Sequence, residues 1–152
     1  MTARASLETP VGPLTVVCDA GAVTAVGWGR VAAPNSDPLL AAALGELSAY
    51  FDGTLTAFTV PMRSASTGFQ ADFHASLSAI PYGQTRTYGE IASDLGVSAQ
   101  AIGQACGANP IPVMIPCHRV LAADGLGGYS GAGGVEAKVA LLKLEGAASL
   151  LL

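Results

Sequence analysis

The chain changes character at Thr67, and that change constrains the fold more than any other feature. Before it, short apolar runs, Leu14-Thr-Val-Val-Cys18 and Ala22-Val-Thr-Ala-Val26, are cut by Pro10, Gly12, Pro13 and Gly21. The pattern predicts two or three strands joined by tight turns over Leu7 to Trp28. Asp37-Pro38 then opens a helix in which Leu40, Leu44, Leu47 and Phe51 recur at helical spacing, with Gly53 as its stop. A further strand near Phe58 to Met62 completes a small α/β lobe. After Thr67 the signals are helical. Thr67 with Gln70, and Thr87 with Glu90, form capping-box patterns, and Ser98 can cap a third helix. The first helix carries Phe69, Phe73, Leu77 and Ile80 on one face and ends at Pro81-Tyr-Gly83. The second carries Ile91 and Leu95 and breaks at Gly96; the third, Ala99 to about Cys106, is built of small residues. Two short helices across a glycine-containing turn are a helix-turn-helix candidate.

This reading divides the chain into an α/β domain over 1–62, a polar linker over 63–66, and a C-terminal domain over 67–152. With 152 residues, 51% of them apolar, there is enough chain to bury a substantial core. No stretch resembles a signal peptide or approaches a membrane span, so we expect a cytoplasmic protein with no membrane partner. Three cysteines, Cys18, Cys106 and Cys117, are widely spaced with no CxxC pair, which points to neither a disulfide framework nor a metal cluster. A net charge of -4 with seven Lys and Arg excludes a protein that coats nucleic acid by bulk electrostatics. Any DNA contact is expected to be local.

The chemistry points to Cys117. It lies in the buried-looking extended segment Ile111 to Leu121 and is followed by His118. A thiol becomes a strong nucleophile only as thiolate, and a nearby histidine is the usual base. Neighbours on a strand point to opposite faces, so we expect a bridging water or a turn between Cys117 and His118. A histidine base needs its other ring nitrogen fixed, and Glu145, standing among apolar residues at the end of the last helix, is the candidate partner. That helix begins with Val135, Val139 and Leu142. The glycine-rich loop from Asp124 to Gly134 fits neither GxGxxG nor a P-loop, so no nucleotide-phosphate cradle and no cofactor are expected.

The run Ile115-Pro-Cys-His-Arg-Val120 resembles the active-site signature of the O6-alkylguanine-DNA alkyltransferases, also called methylated-DNA-protein-cysteine methyltransferases. Ile80-Pro-Tyr-Gly83, Thr87-Tyr-Gly-Glu-Ile-Ala92, Asn109-Pro110, Gly128-Tyr-Ser-Gly131 and Leu141-Leu-Lys-Leu-Glu-Gly146 resemble the family in the same order. The resemblance implies an RNase H-like N-terminal lobe followed by a winged-helix-like helix-turn-helix domain. It implies single-turnover transfer of an alkyl group from O6-alkylguanine, and also O4-alkylthymine, in double-stranded DNA, by a monomer bound through the minor groove. Cys117 would be the acceptor, His118 its base through water, and Glu145 the orienter of His118. Tyr88 would donate to the purine, Ser130 would offer its N–H to O6, and backbone groups of Cys117 and Val120 would read the exocyclic amine. Asn109 would tie the turn after the recognition helix to the active-site strand. Ser98, Ala99, Gln100, Ala101 and Gly103 would face DNA. Arg119 and Lys138 are each readable as a phosphate contact or as a structural residue.

The sequence departs from the family at Gln100, where an arginine normally fills the gap left by the flipped base, and at His74, where tryptophan is frequent. A cysteine hydrolase using Cys117 and His118 would turn over and need an acyl-substrate site that the sequence does not show, and two further alternatives share the pattern. One is a non-catalytic lesion-binding relative, which would lack the acceptor cysteine. The other is a variant with weakened duplex binding that labels itself with free benzylguanine-type substrates, for which Gln100 would be the sign.

Overall fold

The computed structural model describes residues 2–31, 34–123, 125–127 and 134–147. The chain divides into two compact units, Met1–Ala65 and Ser66–Leu152. In the first, β1 (Thr2–Leu7), β2 (Leu14–Asp19) and β3 (Ala22–Trp28) form an antiparallel sheet in the order β1-β2-β3. The first strand starts before the stretch that the apolar runs marked. Its partner residues run from Thr2 opposite Asp19 to Leu7 opposite Leu14. One face of β2, Leu14, Val16 and Cys18, is buried, as period-two alternation requires.

Helix α1 (Pro38–Phe51) is capped by Asp37, whose carboxylate accepts from the Leu40 amide at 3.0 Å, and Pro38 sits in its first turn. Leu40, Ala43, Leu47 and Tyr50 form its buried stripe. Phe58 to Met62 is not the expected strand. The Glu46 carboxylate takes the Thr59 and Val60 amides at 2.9 and 3.2 Å, leaving a single parallel bridge between Met62 and Val23. Amides bound by a side chain cannot extend a ladder.

The second unit holds α2 (Gly68–Ser78), α3 (Tyr88–Leu95), α4 (Ala99–Gly107) and α5 (Gly134–Leu144). The Thr87–Glu90 capping box forms in full, Gly96 ends α3 in the left-handed conformation, and Ser98 caps α4 through the Ala101 amide. The box at Thr67 does not form. Thr67 is the N-cap without a side-chain bond, because Gln70 turns away to donate to the Ala105 carbonyl at 3.0 Å and to meet His74 at 2.9 Å. That carbonyl belongs to α4, so Gln70 ties the first helix of the unit to the slim one.

Two short strands set the site. Strand β4 (Arg86–Thr87) pairs in parallel with β5 (Val120–Leu121), Arg86 opposite Val120 and Thr87 opposite Leu121. The ladder brings the start of α3 alongside the residue that follows Cys117-His-Arg. Ile111 to Leu121 is buried throughout, as expected, but it is not extended. The Ile115 amide donates back to Ile111, and Cys117–Arg119 form a single 3-10 turn before β5 begins. Proline at 110, 112 and 116 removes three ladder donors, and Val113 takes a φ of 72°, so the chain cannot run straight here.

Candidate active site

The 3-10 turn settles the relation of Cys117 to His118. Successive residues of such a turn are about 120° apart around its axis rather than 180° as on a strand, so both side chains lie on the inner side, 3% and 0% exposed. His118 Nε2 is 2.7 Å from Glu145 Oε2. An ionised carboxylate only accepts, so Nε2 carries the ring hydrogen and Nδ1 is the basic nitrogen. Nδ1 is buried and has no protein partner among the described residues.

Burial, the largest influence, holds the His118 imidazole below its ordinary 6.5, against the pull of Glu145 and with the help of Arg119 and Lys138. His74 is lowered by burial as well. The unfolded chain therefore takes up protons first as pH falls through 6.5, and stability is present above that value and lost below it until the folded imidazoles protonate. Thermal unfolding from pH 8 to pH 5 is expected to show the loss beginning near 6.5, well above the range in which the depressed carboxylates of Glu46 and Glu90 titrate.

Glu145 is held from several sides. Arg119 donates to it twice, Nε to Oε1 at 2.8 Å and Nη2 to Oε2 at 3.0 Å, and Nη1 of the same guanidinium donates to the Ile80 carbonyl at 2.7 Å. The Ile80-Pro-Tyr-Gly83 turn wraps this pair. Arg119 lies over the Tyr82 ring at 5.9 Å, the Tyr82 hydroxyl donates to the Leu144 carbonyl at 3.2 Å, and a Cβ at Gly83 would stand 3.0 Å from the Glu145 carbonyl. Arg119 is thus not on a DNA-facing surface. At 7% exposure its charge is committed to Glu145, and turning it out to a phosphate would strand a buried carboxylate.

Lys138, readable from the sequence as a structural residue or a phosphate contact, is turned inward, and its part in the site was not foreseen. Fully buried, it donates to the Val120 and Leu126 carbonyls, each at 2.6 Å, and its ammonium lies 5.7 Å from the Tyr88 ring centre. Its spacing was the available signal. Lys138, Leu141, Leu142 and Glu145 follow the i, i+3, i+4, i+7 rule of one helix face, and all four are buried. Tyr88, half-buried at the start of α3, has its hydroxyl pushed up to about 12, by burial first and then by Cys106 and Cys117. Gly127 makes room for that ring, since a Cβ there would come within 2.8 Å of Tyr88 Cε2.

Asn109 clamps the turn. Its Nδ2 donates to the Ile115 carbonyl at 2.9 Å and its Oδ1 accepts from the Ile111 amide at 3.0 Å. Ser98, Ala99, Gln100 and Gly103 line the exposed side of α4, with Ala101 half-buried, while Ile102 and Ala105 face inward. Ser130 lies outside the described residues, as do Asp124, the rest of 128–133, and 148–152. Among the described residues no three His, Cys, Asp or Glu side chains are grouped to hold a metal, and no helix is long and apolar enough to cross a membrane.

Comparison with known proteins accounts for both units. Residues 3–64 match the ribonuclease-like domain of 6-O-methylguanine DNA methyltransferase, and residues 68–147 match its DNA binding domain. The chain belongs to the methylated-DNA–protein-cysteine methyltransferase family. A member from Mycobacterium bovis is 39% identical over 92% of this chain and 90% of its own length, and one from Methanosarcina acetivorans is 40% identical over 93% and 97%. The crystal structure of the Mycobacterium tuberculosis OGT in complex with DNA superimposes with a TM-score of 0.82 at 40% identity, covering 93% of this chain and 92% of that one. The methyltransferase fold, a small antiparallel sheet with a helix followed by a helical unit, is therefore that of this chain.

Proposed function

We propose that the protein repairs DNA by moving an alkyl group from O6 of guanine onto Sγ of Cys117, one lesion per molecule. The observation that carries this reading is the buried pair between His118 and Glu145 beside the thiol. It commits Nε2–H to the carboxylate and leaves Nδ1 as the only ring nitrogen able to take a proton.

Nδ1 receives the Cys117 proton through one intervening water, a usual partner for a buried polar atom. The thiolate attacks the alkyl carbon, the carbon–oxygen bond breaks, and guanine leaves with the negative charge. Donors aimed at that charge lower the barrier. The Tyr88 hydroxyl, with its pKa near 12, stays a phenol at neutral pH and is such a donor; the Ser130 amide is the other. The Val120 carbonyl has one lone pair on Lys138 and a second for the exocyclic amine, which the Cys117 carbonyl also reads. O4-alkylthymine presents the same alkyl–oxygen bond. A thioether has no hydrolytic return, so the protein does not turn over.

The lesion reaches the thiol only by flipping out of the duplex. The slim α4, through Ser98, Ala99, Gln100, Ala101 and Gly103, enters the minor groove as Gln100 fills the gap. One chain supplies the whole site, so the protein acts as a monomer, and an acceptor that must stay reduced suits the cytoplasm. Intact mass after incubation with O6-methylguanine duplex is expected to rise by one methyl, localised to Cys117 and absent in Cys117→Ala. Catalytic turnover, or methyl on another residue, would refute the assignment.

The DNA face is short of cations. No lysine or arginine lies between Thr87 and His118, and Arg86 pairs with Asp94 at 2.8 Å. Gln100→Arg is therefore expected to tighten duplex binding and to steepen its salt dependence by up to about one logarithmic unit. Titrations at two salt concentrations check it, and equal affinities for the two forms would remove position 100 from the interface.

A further inference from the structure

A second thiol is linked to the acceptor turn through one side chain. Cys106, half-buried in the last turn of α4, gives its carbonyl to the Asn109 amide at 3.3 Å. Asn109 in turn bonds the Ile115 carbonyl, which also accepts from the Cys117 amide at 2.8 Å. One residue therefore ties the backbone at 106 to the backbone at 117. Tyr88 and Lys138, 5.7 Å apart from ring centre to ammonium, are each within the electrostatic reach of both sulfurs. Neither cysteine is in a disulfide, and alkyl transfer through His118 and Glu145 has no use for Cys106.

We propose that Cys106 is a resolving thiol, and that a peroxide converts the pair to a Cys106–Cys117 disulfide that reversibly blocks the acceptor. The Cys117 sulfur attacks the peroxide, the O–O bond breaks, and a sulfenic acid and one water (or alcohol) result. The Cys106 sulfur then attacks the Cys117 sulfur, the S–O bond breaks, and the hydroxyl leaves as a second water with the Cys106 proton. Two electrons pass from the two thiols to one peroxide. Cys117 goes first because it has the base, whereas burial and the nearby Cys117 push the Cys106 thiol up to about 12. The Lys138 ammonium favours the Cys106 thiolate in the second step. Closure requires the two Cα atoms to come within about 7 Å. Stopping at the disulfide spares Cys117 the irreversible sulfinic and sulfonic stages.

The inference rests on Cys117 as acceptor, and the test separates the two. The whole protein is treated with hydrogen peroxide, quenched, denatured and labelled with iodoacetamide. Cys18 is expected to label while Cys106 and Cys117 do not, and the tryptic peptide spanning 87–119 is expected to be lighter by two hydrogens. Alkyl transfer falls in proportion, and dithiothreitol restores thiols and transfer together. Cys106→Ser, reduced, accepts alkyl at the wild-type rate, but peroxide then inactivates it permanently, with oxygen added at Cys117. Peroxide-treated wild-type protein with all three thiols reactive, or with oxygen added and no bridge, would overturn the proposal. So would a Cys106→Ser protein that dithiothreitol rescues as readily as wild type. If the reduced protein never accepts alkyl, the repair reading fails instead, whatever its thiols do.

Discussion

Glu145→Ala is expected to lower folding stability by about 3–5 kcal/mol, the cost of removing one partner from a buried ion pair. A solvent-exposed pair would lose only about 0–1 kcal/mol, so the size of the effect reports where this carboxylate sits. The deletion strands the Arg119 guanidinium in the interior with, among the described residues, the Ile80 carbonyl and the Tyr82 face, and removes the acceptor of His118 Nε2. Adding Arg119→Met removes the stranded charge, and the double variant is expected to regain part of the lost stability. Alkyl transfer should not return with it, because His118 still lacks the carboxylate that fixes its tautomer. Chemical denaturation of the single and double variants, with transfer measured well below their midpoints, checks both halves. A loss under about 1 kcal/mol in Glu145→Ala would mean that the network is solvated and the argument from burial is wrong.

Local signals foretold local structure. Asp37-Pro38, Thr87 with Glu90, Gly96 and Ser98 each act within one helical turn, and each does in the fold what its chemistry dictates. The sequence failed where a distant partner won. Gln70 left its capping box for a carbonyl 35 residues away, and Thr59 and Val60 gave their amides to Glu46 instead of to a strand. Neither competitor leaves a trace in the local pattern. The site was legible in part. A lone carboxylate among apolar residues at the end of the last helix, with the chemistry of a histidine base, pointed to Glu145, whereas Ile80-Pro-Tyr-Gly83 was readable only as a helix stop and a family likeness. Its reason is tertiary, since a carbonyl, a ring and a missing Cβ all close on Arg119 and Glu145. Arg119 was ambiguous for the same cause. A lone arginine after Cys-His carries no mark that tells a phosphate contact from an internal counterion.

Lys138→Met is the complementary test, because it perturbs the pocket two helical turns from Glu145 and leaves the hydrogen bond between His118 and Glu145 in place. Methionine keeps the apolar stem and its packing, so the loss is confined to the ammonium. The buried Val120 carbonyl then loses this donor, at about 1–3 kcal/mol, and the half-buried Leu126 carbonyl loses one that water can partly replace. The cation over the Tyr88 ring adds about 0.5–2 kcal/mol. Because the groups are coupled, a total of about 2–4 kcal/mol is expected. The Val120 carbonyl lies directly after the acceptor turn, and Leu126 precedes the Gly127 against which Tyr88 rests. On the proposed reading both border the base-binding pocket, so transfer from free O6-benzylguanine should fall as much as transfer from duplex. Gln100→Arg should change the duplex reaction alone. Were Lys138→Met to slow only the duplex reaction, its ammonium would be serving DNA rather than the pocket, and the role drawn for it from the two carbonyls would be wrong.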